Sequence, residues 1–305
     1  MAAETPGETE STSAAGESSW LRWLGERTLP HFGQLATWLL LGASLWLARY
    51  PYEIASGDRQ GPASLLFWLP PEVLSSHVSF LIARAAVVVG VAFWFWRKLL
   101  PWSCWLTPLA FTALWSLHVE NSWHTNHCFQ MTNNLLFIQA LWETLCAREI
   151  RAATVAGKYW QTPLYPRWVT LAAVAYIGIF HTAAGLSKLT FSGPDWANGT
   201  SLQIWTHLWG RPWSPTTWLI LHSRTFTQLL QAATLVVETA AILAVVPRLR
   251  TWIGLALVGF YAGVLLTFDY GFQFNLLFTA LYLLPVERWV ENHVRKRSAS
   301  EVTNA

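Results

Sequence analysis

The chain has 305 residues, of which 53% are hydrophobic and only 12% are charged. Because a soluble globular domain carries about 25% charged residues, this composition excludes an ordinary soluble domain and indicates a multi-pass membrane protein. The net charge of +3 comes without a basic stripe, which argues against a nucleic-acid partner.

Three regions are predicted in chain order. Residues 1–20 are rich in Ala, Glu, Ser, Thr and Gly, which predicts a disordered tail. Residues 21–289 are predicted to form one transmembrane domain, and residues 290–305 a cytoplasmic tail. The predicted fold is all-α, a single bundle of about eight transmembrane helices, because the long apolar runs approach the ~20 residues that cross a bilayer. The predicted segments are 32–49, 78–96, 102–119, 129–146, 168–189, 226–246, 252–268 and 272–284.

The basic residues predict the orientation of this bundle. With eight spans both termini lie on one face, and that face receives 14 of the 20 lysines and arginines, against four on the other face. Cytoplasmic loops carry the excess of lysine and arginine, so both termini are predicted to be cytoplasmic. The remaining two basic residues, Arg84 and Lys188, fall inside predicted spans.

The longest non-cytoplasmic loop, residues 190–225, is rich in tryptophan and poor in charge. Such a segment is expected to lie flat on the rim of the bundle, with a short amphipathic helix between residues 196 and 209. Trp196, Trp205 and Trp209 are then expected to roof a cavity whose floor includes Lys188. The expected ligand is a small apolar molecule that enters from the bilayer.

The fifth predicted segment carries two residues that are unusual in a membrane span, His181 and Lys188. A cation at a helix centre costs roughly 2.5–3.5 kcal/mol on insertion scales. His181, Gly185 and Lys188 follow i, i+4, i+7 spacing, so they share one helix face that looks into protein or a wet cavity. The alternative is a lysine that extends to the nearby interface without any chemical role.

A second polar cluster comprises His118, Glu120, His124 and His127. These types could ligate zinc or iron, but His124 and His127 make only one short pair, and membrane di-iron enzymes need several. No metal is therefore expected. The alternative for each histidine is an interfacial residue that donates to a backbone carbonyl.

Two further features lie in apolar segments. Glu238 falls in the middle of a span, where a carboxylate indicates a functional site or a helix–helix ion pair, and Arg84 is its predicted partner. The three cysteines, Cys104, Cys128 and Cys146, form no redox motif and are interpreted as small buried hydrophobic residues.

The run AGLSKL at residues 184–189, followed by Asp195 and Trp196, resembles the central motif of the vitamin K-dependent gamma-carboxylases. The same motif occurs in their bacterial relatives, the horizontally transferred transmembrane domain family. The resemblance continues more weakly through residues 227–285, which end in FQFNLLFTALYLLP.

This resemblance implies a chemistry and a set of site residues. Lys188 corresponds to the lysine that deprotonates vitamin K hydroquinone, and His127 to the histidine that partners it. A reduced quinone of the vitamin K type, oxygen and carbon dioxide are the implied cofactors and co-reactants. Asp195 could orient Lys188 or cap the next helix. The candidate substrate contacts are His181, Asp195, Trp196, Trp205 and Trp209.

One departure from the carboxylases limits the expected function. Those enzymes carry a large non-cytoplasmic domain that holds the protein substrate, whereas this chain ends about 20 residues after Pro285. Carboxylation of a protein substrate is therefore not expected. Two hypotheses stay open: a carboxylase-like membrane enzyme acting on a quinone-like or lipid-like substrate at the non-cytoplasmic face, or a non-catalytic module or partner subunit that binds such a molecule.

Overall fold

The structure is a computed structural model that describes residues 30–50, 65–66, 68–97, 99–121, 128–155, 165–268 and 271–303. Every regular element in these ranges is a helix, and the backbone bridge between Gly210 and Phe268 is isolated. The predicted tail at residues 1–20 lies outside the described residues. The predicted all-α class is therefore confirmed for the part of the chain that the structure covers.

The described chain forms thirteen α-helices and two short 3-10 helices. The α-helices are α1 Pro30–Arg49, α2 Pro71–Leu74, α3 His77–Trp96, α4 Trp102–Asn121, α5 Gln130–Leu145, α6 Ala147–Val155, α7 Arg167–Ser192, α8 Thr200–Trp209, α9 Pro215–His222, α10 Arg224–Ala240, α11 Pro247–Thr267, α12 Gln273–Leu283 and α13 Val286–Thr303. The 3-10 helices are Gly193–Ala197 and Ala241–Val245.

Proline marks several of the helix ends. Pro101 directly precedes α4, Pro247 is the first residue of α11, and Pro285 directly precedes α13. A proline fits the first turn of a helix because the N–H it lacks has no partner there. Each of the eight predicted apolar segments overlaps one of the helices α1, α3, α4, α5, α7, α10, α11 and α12, and α8 is the short helix expected between residues 196 and 209.

Four helical segments are long and apolar enough to cross a membrane: His77–Trp96, Arg167–Ala197, Arg224–Val245 and Pro247–Thr267. They correspond to α3, to α7 with its 3-10 extension, to α10 with its 3-10 extension, and to α11. Only 17% of the apolar window of Pro247–Thr267 is buried against protein, so this helix presents an apolar face that water would disfavour. The chain is an all-helical membrane protein.

Helix α7 lies at the centre of the packing, with α5, α10, α12 and the Ala241–Val245 turn against it. The helices approach closely at Gly178, where an added Cβ would lie 3.0 Å from the carbonyl oxygen of Ala241. Nearby, the Thr182 hydroxyl donates to the carbonyl of Thr239 at 3.3 Å and accepts from the N–H of Ile242 at 2.9 Å. A side chain from α7 thus bonds to the backbone where α10 tightens into 3-10 geometry.

The predicted boundary between membrane domain and tail, at residues 289 and 290, falls inside α13. Just beyond it, the Glu291 carboxylate accepts hydrogen bonds from the N–H groups of His31 and Phe32, at 3.1 and 3.2 Å. These are the first free N–H groups of α1, so Glu291 supplies the cap that α1 needs. This part of α13 is bound to the rest of the described chain.

Candidate functional site

The face of α7 that carries His181, Gly185 and Lys188 packs against α10 and α11. His181 is 2% exposed, and its ring nitrogens lie 2.8 Å from the Ile177 carbonyl and 2.7 Å from the Tyr261 hydroxyl. This histidine has a partner for each nitrogen, so the imidazole is fixed between α7 and α11. Its position is about two helical turns from Lys188 on the same face.

Gly185 lets α7 and α10 approach at the level of the site. A Cβ added to Gly185 would lie 2.7 Å from the backbone nitrogen of Thr239 and 3.1 Å from the carbonyl carbon of Glu238. Side-chain carbons do not come this close to backbone. The absence of a side chain at residue 185 therefore brings Glu238 within reach of Lys188.

Lys188 forms an ion pair with Glu238, whose Oε2 accepts a hydrogen bond from the Lys188 Nζ. The Glu238 side chain is 5% exposed and that of Lys188 is 27% exposed. The Lys188 nitrogen also lies 4.9 Å from the centroid of the Trp196 ring, a cation–π contact. The amine is thus held by a carboxylate on one side and an aromatic face on the other.

This pairing corrects the predicted partner of Glu238, which was Arg84. The Arg84 guanidinium donates instead to the backbone carbonyl of Tyr50, at the end of α1. Arg84 belongs to α3, whereas Glu238 on α10 faces α7. The predicted pairing was wrong because the spacing of residues within one helix does not show which helices are neighbours.

Lys188 lines a cavity of about 280 Å³ that lies between α7, α11 and residues 190–225, which are called the rim below. Trp196 and Trp205 line the same cavity, together with the apolar side chains of Leu202, Phe260, Val264, Phe268 and Phe272. Ser201, Gln231 and Thr234 add a few polar groups. A mostly apolar pocket with few polar groups is typical of a small-molecule site.

Gln231 supplies a hydrogen-bonding atom that the described residues leave without a partner. It is 2% exposed and its amide nitrogen donates to the Ser201 hydroxyl at 2.6 Å. Its carbonyl oxygen, Oε1, is buried with no hydrogen bond among the described residues. Gln231 and Glu238 follow i, i+7 spacing on one face of α10, so both belong to the wall that Lys188 contacts.

A second apolar cavity of about 270 Å³ adjoins the first. The two share the five lining residues Leu202, Thr234, Phe260, Val264 and Phe268. On the far side it is lined by Gly259 and Gly263 of α11, where an added Cβ would meet nothing within 4 Å. The shared walls join the cavities into one groove, with Lys188 at one end and mostly apolar walls along the rest.

Several predicted site residues lie elsewhere. Trp209 is 44% exposed and outside the described lining of the cavity, and Asp195 is exposed on the rim. The N-cap residue of the next helix is Gly199, and not Asp195 as expected; the first N–H of that helix, that of Thr200, donates to the Asn198 side-chain oxygen at 2.8 Å. His127, the predicted partner of Lys188, lies outside the described residues.

The histidine cluster is only partly visible. His118 is 2% exposed and packs edge-to-face against Phe80 and Tyr50, with ring centroids 5.1 and 5.6 Å apart, while His124 lies with His127 outside the described ranges. Within those ranges, no three or more His, Cys, Asp or Glu side chains form a group that could hold a metal.

Two residues of the site carried little signal in the sequence. Tyr261 holds His181, yet a tyrosine in an apolar segment cannot be told from one at an interface. Gln231 was interpreted only as a contact between helices. The signal that could have indicated a cavity was a polar side chain within an apolar run.

Replacement of Gly185 by alanine tests the close approach of α7 and α10. The added methyl must displace the Thr239 backbone, so the unfolding free energy should fall by about 1–3 kcal/mol, as in other overpacked sites. Thermal unfolding in detergent measures this change. The matched control is Gly263→Ala, which points into open space and should keep or raise stability through its better helix propensity. Equal effects of both substitutions would contradict the contact.

Comparisons with models of protein families, with curated proteins and with solved structures return no match to this chain. The described helices and cavity define its class: a membrane protein that is all-helical over the described residues, with a mostly apolar groove lined by a lysine whose partner is a buried glutamate. The resemblance to the carboxylases stays a prediction from residues 184–196 and 227–285.

Proposed function

We propose that the chain crosses the membrane eight times and that both termini are cytoplasmic. Four spans are long and apolar, and α12 is a shorter apolar helix. Helices α1, α4 and α5 are less apolar, but polar residues of α5 such as Asn133, Gln139 and Glu143 are at most 4% exposed. Polar groups that face protein do not need to meet lipid, so low hydropathy does not argue against a span.

Cysteine labelling tests this topology. In a background without the three native cysteines, a cysteine at Ser192, the last residue of α7, should react with a membrane-impermeant maleimide added outside. A cysteine at Ala152, in α6, should react only after the membrane is opened, because the excess of basic residues retains that face in the cytoplasm. The opposite labelling pattern would reject the proposed orientation.

For the site, we propose that the groove binds a quinone-like or lipid-like molecule whose polar head meets Lys188 and Glu238. The observation that carries this proposal is Lys188, which lines a mostly apolar cavity while it is paired with the buried Glu238 behind it. A ring hydroxyl could donate to Glu238 or to the open Gln231 oxygen, while the apolar remainder of the ligand occupies the second cavity. A charged sugar phosphate would not fit those walls, because their apolar surface cannot solvate it.

We further propose base-initiated chemistry on a hydroquinone. Transfer of one proton from Lys188 to Glu238 gives a neutral amine and a carboxylic acid, with no change in the net charge of the pair. The amine can then take the proton of a ring hydroxyl: the O–H bond breaks, its electrons stay on the oxygen, and the resulting ammonium stabilises the phenolate. By resemblance, oxygen and carbon dioxide would be the later co-reactants, and His127 would assist Lys188.

The second candidate is non-catalytic binding, and a specific observation favours it. Lys188 already has a carboxylate and an aromatic face as partners, which is what a lysine that only joins helices would need. In that case the groove would hold a lipid or quinone as a structural or carrier ligand. The two candidates share the binding step and differ only in proton removal.

Oxygen uptake separates the two candidates. Purified protein is given a naphthohydroquinone with an isoprenoid tail; quenching of tryptophan fluorescence reports binding, and an oxygen electrode reports oxidation of the phenolate. Loss of a general base typically costs 100-fold or more, roughly 10²–10⁴. We therefore expect Lys188→Met to lose at least that factor in uptake, while the matched control Lys296→Met retains it.

Three outcomes are informative. Binding with uptake that depends on Lys188 supports the enzyme, and binding without uptake supports the non-catalytic candidate. If the wild-type protein shows neither, both candidates are rejected. The double variant Lys188→Met/Glu238→Leu controls for misfolding of the single variant, because removing both charges leaves neither of them unpaired. The dimethyl ether of the same hydroquinone, which has no proton to lose, should give no uptake.

A further inference from the structure

The other end of α7 from Lys188 borders a separate cavity with a different character. It has a volume of about 130 Å³ and lies where α7, α11 and α13 begin. Its charged lining consists of Arg167, Arg250, Arg288 and Glu287, so three positive charges stand against one negative charge. Nothing in the proposed chemistry at Lys188 uses this cavity.

Arg250 and Glu287 form the fixed part of its wall. The two guanidinium nitrogens Nη1 and Nη2 of Arg250 donate to the two carboxylate oxygens of Glu287 at 3.0 and 2.9 Å. The Nε of the same side chain donates to the Tyr282 carbonyl at 2.8 Å. This bidentate pair neutralises itself, so Arg288 adds positive charge to the wall beyond the pair, and Arg167 also lines the cavity.

Two helix N-termini add to the positive potential. Helix α7 begins after Pro166 and α11 begins after Val246, and neither of these residues supplies a side-chain cap. The start of a helix carries free N–H groups and about half a positive charge, which together favour anions. By contrast, the start of α1 is occupied by the Glu291 carboxylate.

A buried hydroxyl on the same wall lacks a partner. Thr170 lines the cavity and is 3% exposed, and its Oγ1 has no hydrogen bond among the described residues. Buried polar groups in proteins are nearly always paired, and one that is not suggests a missing ligand. This observation is independent of the arginines and of the helix ends.

We propose that this cavity binds a phosphate group. The volume equals roughly four water molecules at about 30 Å³ each, which suits a phosphate. Phosphate oxygens would accept from Arg288 and Arg167, from the first N–H groups of α7, and from Thr170. The excess positive charge selects an anion over a neutral or zwitterionic group.

The surroundings favour a phospholipid headgroup as the source of that phosphate. Trp252 in α11 and Trp289 in α13 flank this end of the bundle and are 70% and 67% exposed. Exposed tryptophans concentrate at the level of lipid headgroups. The cavity also stands at the start of two apolar spans, α7 and α11, so a bound headgroup could place its acyl chains along them.

Short-chain lipids test the site without a bilayer. The probes are dioctanoyl phosphatidylglycerol, which is anionic, dioctanoyl phosphatidylcholine, which is zwitterionic, and inorganic phosphate, each titrated into the purified full chain in neutral detergent. Thermal stabilisation as a function of concentration gives the apparent affinity. We expect the apparent affinity for phosphatidylglycerol to be at least about tenfold higher than that for phosphatidylcholine, a factor typical of one charged hydrogen bond.

Two variants and one control localise the effect. Arg288→Gln removes an exposed cation of the wall and should weaken phosphatidylglycerol binding about tenfold, and Thr170→Val should weaken it several-fold. The matched control is Arg248→Gln, which removes the same charge from the exposed first turn of α11 outside the described lining and should bind within about twofold of wild type.

The outcomes decide the proposal. Inorganic phosphate that binds with the same dependence on Arg288 and Thr170 supports the site and makes a soluble anion its source. Equal stabilisation by the two lipids together with no effect of phosphate overturns the proposal. An equal loss in Arg248→Gln and Arg288→Gln also overturns it, because general surface charge would then explain the binding. Failure of this site leaves the quinone proposal untouched, since the two lie at opposite ends of α7.

Discussion

Replacement of Glu143 by leucine is expected to lower the unfolding free energy by about 3–5 kcal/mol, the range for breaking a buried ion pair by removing one partner. Glu143 on α5 is fully buried and Arg97, at the end of α3, is 2% exposed, with Oε1 and Nη2 3.7 Å apart. The other carboxylate oxygen accepts from the Trp94 indole at 2.7 Å. The variant leaves a buried guanidinium without its charge partner and an indole without its acceptor.

The control is the double variant Arg97→Met/Glu143→Leu. Removing both charges avoids the uncompensated one, and buried pairs replaced by apolar residues are often neutral or more stable. Chemical denaturation in mixed micelles should therefore rank the double variant close to wild type and well above Glu143→Leu. If the single and double variants unfold alike, the loss comes from the packing of leucine and not from the unpaired charge.

The second large effect concerns ligand binding. Gly263→Leu should fill the second cavity, where the added side chain has open space, and should weaken binding of the tailed naphthohydroquinone about 100-fold. Four added carbons displace a comparable length of ligand tail, and each buried methylene contributes about 0.8 kcal/mol, so the loss is about 3 kcal/mol. Tryptophan quenching measures the affinity.

Gly42→Leu provides the matched control. Gly42 lies on the exposed side of α1, also with open space around an added Cβ, so the same substitution there should leave binding unchanged. Both variants should retain or gain stability, because leucine favours a helix over glycine by nearly 1 kcal/mol. Undiminished binding in Gly263→Leu would mean that the ligand tail does not occupy the groove.

The positions of the long helices were predictable from local properties of the sequence. Apolar runs beside Pro101, Pro247 and Pro285 predicted α4, α11 and α12 to within five residues, because proline and hydrophobic length act on the chain locally. The run at residues 226–246 was predicted as one helix, but its end is 3-10. The contacts of Thr182 with that backbone come from a helix about 60 residues earlier, so no local pattern contains them.

The site was predictable only in part, for the same reason. The shared face of His181, Gly185 and Lys188 follows from helical spacing within one segment. To predict the partner of Lys188, one must know which helix lies opposite α7. The close approach of α7 to α10 depends on Gly185, and this role can be recognised only once the position of α10 is known. Glu238 was therefore predicted to be important but was paired with Arg84.

Hydrogen bonds attach the rim to the helices beneath it, and this attachment affects how fast a ligand can leave. The N–H of Arg211 donates to the Thr267 carbonyl of α11 at 2.8 Å, and the side-chain amide of Gln228 in α10 donates to the Asn198 carbonyl at 3.1 Å. Because these bonds oppose lifting of the rim as a lid, a ligand of the proposed kind is expected to exchange sideways into lipid, past the exposed Gly259 that lines the second cavity. Residence time should then follow the order of the surrounding acyl chains, long in a gel-phase bilayer and short in a fluid one.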